Sequence, residues 1–128
     1  MHDQPSVIEL LKAVKNFINH TAAPNLTGHA AFHAKVASNV VDIIVRDLSA
    51  RPENDRREIE QLQALLKIED QHELAELNRI LCDRIRDGQI TAANSDLMTH
   101  LKTAAINQIK VDQPRYSGLK TALGDDDH

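Results

Sequence analysis

From Phe32 to Leu48 apolar side chains recur at spacings of three and four residues, a period that a helix turns to one side. At about 100° per residue, Phe32, Val36, Val40, Ile44, Leu48, Ala37, Val41 and Ile43 make a wide arc with His33 near its centre. Lys35, Ser38, Asp42 and Arg46 fall on the back, and Asn39 lies at the border. So broad an arc is expected to touch helices on two sides. It also places an ionisable imidazole in a core-facing stripe, where an unpaired charge costs several kcal/mol or gives up its proton. The simplest expectation for His33 is a buried neutral ring with one nitrogen bonded to a carbonyl or a nearby polar group. The sharper one is a pocket between helices, with Asn39 or Arg115 near its rim.

The same period recurs along the chain. Ser6 and Glu9 form a capping box that opens a first helix, in which Val7, Leu10, Leu11, Val14, Phe17 and Ile18 share a face. Turn residues from Ala23 to Gly28 are expected to stop it. The second helix is predicted from about His29 to about Ser49, and Arg51-Pro52-Glu53 is expected to break the chain and start a third. Ile59, Leu62, Leu65 and Leu66 form its stripe, and Glu53-Asn54-Asp55-Arg56-Arg57-Glu58 reads as a solvated face of alternating sign. Asp70 and Glu73 repeat the capping spacing ahead of a fourth helix with Leu74, Leu77, Leu81 and Ile85 aligned, ended by Gly88. Asn94 or Ser95 caps a fifth, with Leu97, Met98, Leu101, Ala105 and Ile109 inward, ending near Pro114. The expectation is an all-α single-domain bundle of about five helices over residues 1–116, mostly antiparallel neighbours, followed by a disordered acidic tail over 117–128.

Composition narrows the function classes. Among 128 residues only 2% are aromatic, and Phe17, Phe32 and Tyr116 are all of them, so platforms for stacking bases or sugars are nearly absent. Asp125, Asp126 and Asp127 carry most of the formal charge of −4, which leaves the rest near neutral. Nucleic-acid binders show a basic patch or stripe, so no nucleic-acid partner is expected. Nor is a membrane one, since no stretch approaches the roughly 18 apolar residues of a span. Cys82 cannot pair within the chain and reads as small core filler, and the N-terminus lacks a basic region followed by an apolar run, so a cytoplasmic location is expected.

Three chemistries can be tested by spacing. His29 with His33, His72 with Glu76, and Glu69 with His72 have the separations that metal sites in bundle cores use. The phase of the fourth helix turns His72 and Glu76 away from Leu74, and a second Glu-x-x-His is lacking, so neither a metal nor another cofactor is expected. Nucleophilic catalysis needs an activated Ser, Cys or Lys on a positioned turn, and no such motif or Gly-rich phosphate loop occurs. His33 is the sole candidate for acid or base work, while Asn39, Arg115 and Tyr116 are the candidate binding residues.

Asp3-x-Pro5, Glu9-Leu10-Leu11-x-Ala13-Val14, Phe32-His33-Ala34-Lys35-Val36-Ala37-x-Asn39-Val40, Leu77-Asn78-Arg79, Ile85-Arg86-x-Gly88 and Pro114-Arg115-Tyr116 together resemble a bacterial family of short all-helical proteins of unknown function. That family is commonly encoded beside aminoglycoside-phosphotransferase-like kinases and acyl-CoA dehydrogenases. The resemblance implies no catalytic residue. It implies an accessory role, a non-enzymatic helical protein that binds or stabilises a phosphotransferase-like kinase or an acyl-CoA dehydrogenase. An alternative is a bundle that binds or transforms an acyl or acyl-phosphate metabolite through His33, with Lys35, Asn39 or Arg115 at its anionic end. Lys35 lies about 200° from His33 on the helix, which works against a shared grip. A third is a structural homodimer formed by the flank of the second helix.

Overall fold

A computed structural model of the chain describes residues 5–126. Among these, five α-helices and no strands occur: α1 (Val7–Phe17), α2 (Gly28–Leu66), α3 (Leu74–Arg86), α4 (Ser95–Asp112) and α5 (Ser117–Asp126). They are not the five that the turn residues suggest. Contacts divide the chain into two compact units, one up to Ala50 and one from Arg51 onward.

Ser6 caps α1 as its spacing requires, its Oγ accepting from the Glu9 N–H at 3.1 Å. The winding does not stop at Ala23. It continues as a π turn over Ile18–Ala22 and a 3-10 turn over Ala23–Asn25, where Asn25 Nδ2 donates to the Thr21 carbonyl at 2.6 Å. Leu26 is extended, and Gly28, with φ of +59°, admits the left-handed backbone from which α2 departs.

The expected break at Pro52 is absent, and α2 runs unbroken for 39 residues. Proline removes one N–H and crowds the preceding turn. The turn that follows it is held by a lattice on one side of the helix. Arg56 donates to both Glu53 carboxylate oxygens, at 3.0 and 2.6 Å, and to Glu60 at 2.6 Å, while Arg57 reaches Glu53 at 2.9 Å. The sign alternation that marks a solvated face thus also supports the helical turn that follows the proline. These two guanidinium groups hold the Glu53 carboxyl at about 2, well below its ordinary value.

From Arg51 onward the core is aliphatic. Leu62 and Leu66 of α2 close on Leu77 and Leu81 of α3, with Ile90 and Leu97 completing the cluster. The C-terminus of α2 is built into it. Lys67 takes φ of +56°, the Ile68 N–H returns to the Gln63 carbonyl at 3.0 Å, and Arg84 of α3 donates to the Leu66 carbonyl at 2.6 Å. Glu73 precedes α3 without a side-chain cap, so the Asp70–Glu73 box is not formed there. Gly88, at φ of +77°, ends α3, and Asn94 Oδ1 caps α4 from the Leu97 N–H at 3.0 Å. Residues 117–126, expected in the tail, are helical, and Leu119 is buried. Asp127 and His128 lie outside the described residues.

Two measurements check this packing. Leu77→Ala is expected to cost about 2–5 kcal/mol in denaturant unfolding, since Leu77 is fully enclosed and its neighbours cannot collapse freely. Glu53 binds fewer protons folded than unfolded between pH 2 and its ordinary 4.5, so its contribution is complete above that range and is lost as pH falls through it. Glu53→Gln therefore flattens the acid limb of the stability profile below pH 4.5, most visibly at low ionic strength.

Candidate functional site

The unit up to Ala50 is a helical hairpin with an unusual distribution of burial. Lys15 of α1 and Asp42 of α2 form an ion pair at 2.5 Å. On that side of α2, Ala34, Val41 and Val45 are half-buried, and Ser38 is the one described residue of the unit that is buried. Ile8 and Leu11 of α1 and Ile18 of the π turn are half-buried. Other apolar residues point elsewhere. Val7, Leu10, Val14 and Phe17 of α1 and Phe32, Val36, Val40 and Ile44 of α2 are all exposed, with both phenylalanines at 60% or more.

Helical phase explains the inversion. Val36 and Val40 stand about 160° and 200° round the helix from Ser38, so covering the Ser38 side turns the apolar stripe outward. The Phe32, Val36, Val40 and Ile44 part of the arc that predicts an inward spine is exposed, while its Val41, Ile43 and Leu48 are half-buried. His33, in that arc, is exposed rather than buried, and its ring meets Phe32 edge-on with centroids 5.7 Å apart. The expected buried neutral imidazole at His33 is therefore corrected. Asn39 is also exposed and lies about 120° from His33 on the helix, so the two do not frame one pocket.

Arg115 and Tyr116 are exposed as well, but they do not follow the last helix. They link α4 to α5. The Tyr116 N–H donates to the Gln113 carbonyl at 2.9 Å, and the Leu119 N–H returns to the Tyr116 carbonyl at 3.1 Å. The Tyr116 ring lies over Gly118 so closely that a Cβ there would stand 2.5 Å from Cε1.

A buried imidazole does exist, in α4. His100 is 4% exposed, and its Nδ1 lies 3.2 Å from Gln61 Oε1 of α2. Leu97, His100, Ala104 and Val111 recur at helical spacing and are covered, whereas Met98, Leu101 and Ala105, expected inward, are exposed. The signal was present in the sequence, because the Asn94 cap and Leu97 set a seam that passes through His100. Cys82, expected as core filler, is exposed.

The described residues also contain a cleft of about 500 Å³ lined by Ile59, Gln63, Gln71, His72, Glu73 and Glu76. Three of its polar side chains are engaged with one another or with the backbone. His72 Nδ1 is 3.2 Å from Glu76 Oε2, and Gln63 Nε2 donates to the Asp70 carbonyl at 3.1 Å. No group of three metal-ligating side chains gathers among the described residues, and no helix there is long and apolar enough to cross a membrane. Among the features described, the outward stripes of the hairpin are the least satisfied physically, since apolar surface is driven from water and these side chains are 40–62% exposed.

The two histidines separate a structural from a surface role. His100→Ala is expected to lower unfolding free energy by about 1–3 kcal/mol, because it strands the Gln61 amide and empties a packed position. His33→Ala is expected to shift it by less than about 0.5 kcal/mol, as surface changes do.

The profile of a family described as a domain of unknown function, DUF6285, matches residues 24–116. No curated protein and no solved structure matches the chain.

Proposed function

The chain belongs to the DUF6285 family, and from that premise and the geometry above we propose that it is a non-enzymatic accessory protein that works by binding another protein chain. One observation carries the reading: among its described residues, the hairpin up to Ala50 buries no large apolar side chain and turns eight on its two helices outward. Singly exposed apolar residues need no explanation, but two helical stripes side by side in sequence are the composition of a docking surface. The polar groups that a catalytic reading would use support it less, since His33 and Asn39 lie on different sides of α2 and neither is buried.

The partner class follows from the resemblance carried by the Phe32–Val40 and Pro114–Tyr116 motifs, which implies a phosphotransferase-like kinase or an acyl-CoA dehydrogenase. The α1 stripe of Val7, Leu10, Val14 and Phe17 is assigned to that partner. Arg115 and Tyr116, exposed at the α4–α5 link, are assigned as secondary polar contacts.

Co-expression with a kinase and with a dehydrogenase encoded beside the gene, followed by affinity capture and mass analysis, tests the reading. A defined complex is expected that survives His33→Gln and is lost in Val14→Glu. A complex indifferent to Val14→Glu, or none with either partner, would overturn the assignment.

A further inference from the structure

The α2 stripe is self-complementary about its own midpoint. Counting outward from Ser38, Val36 answers Val40, Phe32 answers Ile44, and His29 answers Asp47. All six lie within about 60° of the direction opposite Ser38. Two copies of α2 laid antiparallel through this stripe would set Val36 against Val40 at the centre, Phe32 against Ile44 on either side, and the imidazole of His29 near the carboxylate of Asp47 at both ends. A two-fold pairing requires this relation, in which residue i meets j and j meets i.

The area agrees. A standard interface takes about 800 Å² from each partner, a little over half of it apolar, and the exposed parts of Phe32, Val36, Val40 and Ile44 amount to about 400 Å². From His29 to Asp47 the seam is about 27 Å long, enough for the near-antiparallel crossing of paired helices in bundles.

We propose that the occupant of the α2 stripe is a second copy of this chain, paired antiparallel about a two-fold axis that passes between Val36 and Val40. The inference rests on the reading of the hairpin as a docking surface and assigns its two stripes separately, α2 to the second copy and α1 to the unlike partner. The dimer then presents two α1 stripes, so the accessory protein is bivalent.

Sedimentation and light scattering on the full chain test this. Twice the chain mass of 14.3 kDa is expected across micromolar to millimolar concentrations. Val40→Glu and, separately, Val36→Lys are expected to return one chain mass with unchanged helical circular dichroism, as befits exposed positions. In a Cys82→Ser background, Val36→Cys with Val40→Cys is expected to give a disulfide-linked dimer under mild oxidation. A single chain mass for the unmodified protein at every concentration would overturn the self-pairing, as would a dimer that survives both charged variants. If the chain is monomeric yet Val14→Glu still abolishes the unlike complex, the accessory reading stands and only the self-pairing falls. A dimer that the charged variants dissociate, with no unlike complex, would leave the self-pairing standing and overturn the unlike partner.

Discussion

Leu62 and Leu66 of α2, shut against Leu77 and Leu81 of α3, are the contact from which the order of the second half of the chain follows. Burying four leucines so completely sets the phase of both helices. That phase brings Arg84 to the Leu66 carbonyl and Gln61 to His100, so the polar contacts are consequences of the apolar one. With no tryptophan and few aromatics, aliphatic side chains have to close the core by number and fit, and the unit from Arg51 onward has enough of them.

The same helix behaves differently toward its N-terminus. Before Ala50, α2 buries Ser38, half-covers Val41, Ile43, Val45 and Leu48, and exposes Phe32, Val36, Val40 and Ile44, an arrangement that forfeits part of the transfer free energy of these last four. A hairpin of this kind is stable in water to the extent that something covers those side chains, because helices derive most of their stability from packing an amphipathic face. The function proposed for the protein is the physical counterpart of that deficit.

Local chemistry was legible where it acts over a few residues. The Ser6 and Asn94 caps and the Gly88 terminus stand where spacing put them, because each depends only on a side chain or backbone group reaching a neighbour within one turn. Pro52 was misleading for the complementary reason. Its cost to a helix is local and visible, while the Glu53–Arg56–Arg57–Glu60 lattice that offsets it resembles any charged surface until the helix is already continuous. The helix over 117–126 escaped notice because its sequence carries little apolar content beyond Leu119 and Leu123, and Leu119 is buried only in the folded chain.

The candidate site shows the division most clearly. Periodicity alone determined that this chain is all-helical, that α2 carries a stripe of Phe32, Val36, Val40 and Ile44, and that a second stripe runs along α1. Only the tertiary structure decided which side of each helix is covered. In α2 it is Ser38 and not His33, and in α4 it is His100 and not Met98. A single helix has one apolar moment but no knowledge of its neighbours, and burial is a property of the pair.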